Sequence, residues 1–156
     1  MGALVHVLHV VLAGVWLGGL VFTTFVVSPA LKAMRWSEAE RVSVRSEIGR
    51  YYSRLAIPNL VALFVFAVLD GAFSGFGAAL YAELVLVVAL FALSAAHGAY
   101  FGGRMRRLAE DERGVGEAEA RSLGRERRSL QRLSLRLSWL NLLFSFAVAA
   151  LATLAG

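Results

Sequence analysis

The chain has 156 residues, of which 58% are hydrophobic and 17% charged, and a mean hydropathy of +0.66. It is long enough for one domain and too apolar for an ordinary soluble one. It has no cysteine, which excludes disulfides, thiolate metal sites and thiol redox chemistry.

The apolar residues fall into long runs, and four of them approach the roughly 20 residues needed to cross the hydrocarbon of a bilayer. The spans are placed at 3–28, 56–76, 78–101 and 135–155. Helices are the expected elements, because a barrel needs many more and shorter alternating segments. The first run follows Met1 with no basic stretch before it, and is read as a retained span instead of a signal peptide. The expected fold is all-α: a single integral-membrane four-helix bundle over residues 1–156.

All 16 basic residues lie on one side of this arrangement: six from Lys32 to Arg54, nine from Arg104 to Arg132, and Arg136 at the foot of the last span. By the positive-inside rule the two longer loops are cytoplasmic, and both termini face outward. The first loop opens with a capping box, Ser37 with Glu40. Val44, Ile48, Tyr51 and Leu55 follow at helical spacing, so an amphipathic helix is expected to lead into the second span. Pro58 marks either a kink or a helical first turn there. The second loop, rich in Arg and Glu and broken by Gly114, Gly116 and Gly124, reads as a helical hairpin extending spans three and four into the cytoplasm.

A pI near 10.4 raises the question of nucleic acid. The topology already accounts for the charge, acids are interspersed with the arginines, and no stacking aromatics accompany them. Anionic lipid head groups are the expected partner, and no nucleic acid is.

His6, His9 and His97 are the whole histidine inventory and all lie in expected spans. Ionisable residues at such depth are costly and mark functional sites by default. The alternative is structural, a neutral histidine serving as an interhelical hydrogen-bond partner. At about 1.5 Å per residue, His9 is roughly 6 Å into the hydrocarbon and His97 roughly 25 Å, near opposite faces and poorly placed to share one iron. His6 and His9 share a helix face, which Trp16 continues. Two imidazoles on one face could bind a single cation, with Asp70 and Glu83 as outer-end carboxylate partners, a ligand set suited to copper, zinc or manganese. Near the inner face, His97 is followed by Tyr100 and Arg104, and arginines there could hold propionates or phosphates of a ligand.

The arrangement His9-x6-Trp16-x-x-Gly19 resembles the first helix of the HemJ membrane protoporphyrinogen oxidases and of the CopD copper-resistance membrane domain. The run Ala96-His97-Gly98 to Gly103-Arg104 and the segment Arg50-Tyr-Tyr-Ser-Arg54-Leu-Ala-Ile-Pro58 are similar to HemJ segments. The resemblance implies a haem b protein of the bacterial inner membrane. His9 would be the iron ligand, His97 a further haem or substrate contact, and Trp16 and Arg104 would belong to the cofactor site. The implied role is redox, haem handling or binding of a gas such as nitric oxide, with an electron-transfer partner or a porphyrin ligand. The rivals are a HemJ-like, haem-dependent oxidoreductase acting on protoporphyrinogen and a CopD-like copper transport or resistance module using His6 and His9. The chain departs from the HemJ pattern in lacking a lysine in the third span and an Asn-Glu-x-Pro feature before the last. Gly14, Gly18, Gly19, Gly98 and Gly102 permit close packing between subunits, and a homodimer is expected.

Overall fold

With no water in the hydrocarbon to satisfy amides, an apolar run crosses as a helix that closes its hydrogen bonds within itself. The structure, a computed structural model, describes residues 1–111 and 114–154. The side-chain surroundings of residues 38, 39, 42, 98, 99, 102, 105, 106, 109, 110, 117 and 120 lie outside the described set. The packing expected at Gly98 and Gly102 therefore falls outside it.

Among the described residues the chain is helical with no strand. α1 spans Gly2–Phe22, passes through a π-helical turn at Thr23–Val27, and continues as α2, Ser28–Ala33. α3 runs Glu38–Ser74, α4 Ala78–Ala95, and a second π-helical stretch, Ala96–Gly102, leads into α5, Gly103–Asp111. α6 covers Glu117–Leu154. Four of these segments are long and apolar enough to cross a membrane, at Gly2–Ala33, Ser43–Ser74, Ala78–Ala95 and Arg121–Leu154. The protein is a multi-pass membrane protein.

α3 begins where the capping box places it. The Ser37 amide donates to Glu40 Oε2 at 2.7 Å and the Glu40 amide donates to Ser37 Oγ at 3.3 Å. The helix then passes through Pro58 without ending, so amphipathic segment and second span are one element. Proline cannot donate to the carbonyl one turn back, and the structure tolerates that loss inside the helix. Likewise α6 runs through Gly124, and the second loop turns at Gly114–Gly116, where the Gly114 amide donates to the Asp111 carbonyl at 3.1 Å.

α1 packs against α3 and α6, and α4 packs against α6 and α3, so α1 and α4 face each other diagonally across the bundle. Ala13, Trp16, Leu60, Leu63, Val87, Leu90, Val148 and Ala152 fill the interior. Leu4, Val11, Val15, Val85, Leu143 and Phe146 point outward, as they do where the solvent is lipid. The α3–α4 connection is tight. Gly75 adopts φ +97°, which favours glycine, and Gly71 lets α4 approach so closely that a Cβ there would lie 2.5 Å from Leu80 Cδ2.

Candidate functional site

The end of the bundle opposite the basic loops carries the helix starts of α1 and α4 and the end of α3. His9 lies seven residues into α1, Asp70 four residues before the end of α3, and Glu83 five residues into α4. At about 1.5 Å per residue these positions are 6 to 10 Å from their helix ends, so the three helices deliver polar groups to one level.

There the groups join. His6 Nδ1 lies 2.8 Å from Asp70 Oδ2, and His9 Nδ1 lies 3.2 Å from the same oxygen. The other nitrogen of His9, Nε2, lies 2.7 Å from Glu83 Oε1. His9, Asp70 and Glu83 are at most 1% exposed, while the His6 side chain is 27% exposed and forms the open edge. Asp70 Oδ1 and Glu83 Oε2 are buried with no hydrogen-bond partner among the described residues.

Proton counting shows what this chain of contacts requires. A neutral imidazole has one N–H, yet both nitrogens of His9 face carboxylate oxygens, so satisfying both contacts takes one proton more than neutral histidines supply. With two ionised carboxylates and three N–H donors, the group carries one net negative charge in a low-dielectric setting. Leaving such a charge uncompensated is costly. A second extra proton or a cation would neutralise it.

The geometry also suits a cation. One ligand atom each from His6, His9 and Asp70 lies within 4.8 Å of the others. Nδ1 of both histidines lies against the same oxygen of Asp70. Glu83 on the far nitrogen of His9 would then orient that ring from outside the ligand set, the usual carboxylate–histidine support of metal sites. Three protein ligands would leave a fourth position of a tetrahedral ion to water or another ligand, as in exchanging or reactive sites more than closed structural ones.

Of the other expected site residues, none joins this cluster. Trp16 is buried below it and donates from Nε1 to Ser145 Oγ at 2.9 Å; Ser145 in turn donates to the Asn141 carbonyl at 2.7 Å. His97 lies 14 residues beyond Glu83, about 20 Å along the same span. It is exposed, with its ring centroid 6.1 Å from that of Phe101. Arg104 donates from Nη2 to Glu126 Oε1 at 2.6 Å, tying α5 to α6, and this hydrogen bond holds its guanidinium further above its already high pKa. Ser145 was not among the expected polar contacts. Its only signal is its position four residues after Asn141, one turn along the same helix face.

Residues 11–114 match the model of a family described as a domain of unknown function, DUF4149. The chain belongs to that family. The DUF4149 region contains Trp16, Asp70, Glu83 and His97, and starts two residues beyond His9. No curated protein and no solved structure matches the chain.

Proposed function

We propose that this DUF4149 protein binds one divalent transition-metal ion in the membrane, at the end of the bundle that carries its termini. His6 Nδ1, His9 Nδ1 and an oxygen of Asp70 are the ligands, and Glu83 is the carboxylate that holds the His9 ring. The observation that carries this reading is the convergence of the three ligand atoms with Glu83 on the opposite face of His9.

Charge selects the class of ion. With both carboxylates ionised, both histidines neutral and Nε2–H of His9 kept on Glu83, an ion of charge +2 leaves the buried group neutral, whereas a monovalent ion leaves it at −1. Imidazole and carboxylate donors suit zinc, manganese and copper(II), and the absence of cysteine from the chain, with Met1 fully exposed at the start of α1 and Met34 and Met105 at the opposite, basic end, argues against copper(I). His6 provides the approach from the membrane surface. Ala13, Leu60, Leu63, Val87 and Leu90 close the bundle below with apolar side chains, which supports an ion that is held or presented at one face. By the positive-inside rule that face is the outer one.

A haem on His9 asks for a different arrangement, because an iron at either nitrogen displaces Asp70 or Glu83. Equilibrium dialysis of detergent-purified protein against zinc, manganese and copper(II), with metal analysis and an absorption spectrum of the same sample, tests the reading. One divalent ion per chain, lost in His9→Ala and kept in His97→Ala, is expected. A stoichiometric Soret band abolished by His9→Ala, or metal uptake indifferent to His9→Ala, would overturn it.

A further inference from the structure

At the opposite, basic end of the bundle a groove of about 410 Å³ runs between the π-helical turn of the first span and the amphipathic part of α3. Phe22 and Val27 wall it on one side, and Val44, Ile48, Tyr52 and Leu55 on the other. Its level is informative. Leu55 lies 19 residues before Ser74, about 28 Å from the far end of the helix, and Val44 lies 30 residues before it, about 45 Å. The hydrocarbon is about 30 Å thick and the whole bilayer about 40 to 45 Å. The groove therefore starts where the hydrocarbon ends and carries apolar surface down through the head-group layer, where acyl chains do not ordinarily cover it.

Its rim is cationic. The Arg54 guanidinium stands 5.1 Å from the ring centroid of groove-lining Tyr51. Glu47, the acid in the lining, is paired with Arg50, which removes its charge from the balance. Arg45 is exposed one turn from Ile48, and Lys32 follows Val27 by five residues along the same continuous helical run.

We infer that this groove is a binding site for one anionic phospholipid, with an acyl chain along Phe22, Tyr52 and Leu55 and the phosphate at Arg54. The apolar walls account for the chain and the arginine for the charge preference; a zwitterionic lipid satisfies only the first. The site is independent of the cluster at the other end.

Native mass spectrometry of delipidated protein with added dioleoylphosphatidylglycerol or dioleoylphosphatidylcholine reads both parts. One phosphatidylglycerol per chain is expected to be retained over phosphatidylcholine by about fivefold, the worth of one arginine beside an anionic head group. Arg54→Gln should erase the preference while leaving retention of both lipids. Thr23→Trp, or Leu55→Trp should the first not fold, should fill the groove where the acyl chain lies and abolish retention of either lipid, with the elution profile and thermal midpoint of the wild type kept. Equal retention of the two lipids by the wild type would overturn the proposal, as would undiminished retention in a folded groove-filling variant. So would a dimer that the groove-filling variant breaks without loss of lipid, since the groove would then be an interface between copies.

Discussion

His9 Nε2 and Glu83 Oε1 are 2.7 Å apart across the diagonal of the bundle, in a contact from which solvent is excluded. A carboxylate in that position fixes which nitrogen of the ring carries a proton and leaves Nδ1 to face Asp70 and His6. If the cluster binds a divalent ion, Glu83→Gln keeps an acceptor for Nε2–H but removes one negative charge from the loaded site. Metal affinity is expected to fall roughly 10- to 100-fold, the usual cost of losing such a supporting carboxylate. Titration of the variant with zinc, beside the wild type, checks this. An unchanged affinity would remove Glu83 from the site.

The cluster is expected to cost the fold stability. His9→Leu leaves Glu83 without its histidine and Asp70 with only His6, and should destabilise by about 3 to 5 kcal/mol, as breaking buried ionic groups does. The triple variant His9→Leu, Asp70→Leu, Glu83→Leu removes the charges together and should be at least as stable as the wild type, with a gain of up to about 4 kcal/mol. Thermal unfolding in one detergent compares the three proteins. A triple variant less stable than the single one would mean that the polar contacts hold the bundle together.

Metal and protons compete for the same nitrogens. Filling the apo cluster to neutrality takes two protons beyond those of neutral histidines, and a divalent ion replaces both. Ligand nitrogens must be free of protons to bind, so affinity should fall as pH falls, by up to about 100-fold per pH unit where both protons compete. Isothermal titration at several pH values in buffers of different ionisation enthalpy measures the slope and the protons released. A pH-independent affinity would place the ion elsewhere.

Trp16 gives a control within the same helix. Its indole donates to Ser145 Oγ below the cluster. Trp16→Phe should cost about 1 kcal/mol for the lost hydrogen bond, plus some packing, and leave metal affinity unchanged. Adding Ser145→Ala to that variant should cost little more, since the two share one bond. A large loss of metal binding in Trp16→Phe would extend the site about two turns deeper than the geometry places it.

How much of this was legible depended on whether the signal was periodic or pairwise. The four spans follow from apolar run length, which is a local property, and the shared face of His6 and His9 follows from helix geometry. That Asp70 and Glu83 lie at the same end could be counted from the span boundaries. The diagonal approach of α1 and α4, which sets His9 between two carboxylates, could not, because it depends on how α3 and α6 pack between them, which no single helix records. The π-helical turn at Thr23–Val27 is followed two residues later by Pro29, and the one at Ala96–Gly102 contains Gly98 and Gly102, but such residues do not by themselves specify a π-turn, and the continuity of α3 through Pro58 is a case of tertiary packing overriding a local preference.

Gly71 connects the tight α3–α4 turn to the cluster beside it. A Cβ at residue 71 would lie 2.5 Å from Leu80 Cδ2 and 2.7 Å from Phe76 Cε1. Leu80 is itself buried at 2% exposure, so the methyl group cannot be accommodated by one freely moving side chain. Gly71→Ala should therefore push the start of α4 from the end of α3 and destabilise by about 1 to 3 kcal/mol, the range for overpacking. Asp70 and Glu83 lie on the two sides of that turn, so the same displacement should also weaken metal binding. Leu80→Ala opens space for the new methyl group and, combined with Gly71→Ala, should lose less stability than the two single changes added together. A double-mutant cycle by thermal unfolding, with zinc affinity measured on each member, separates the outcomes: full additivity would show that the two side chains do not compete, and lost stability with unchanged affinity would show that the turn does not set the spacing of the carboxylates.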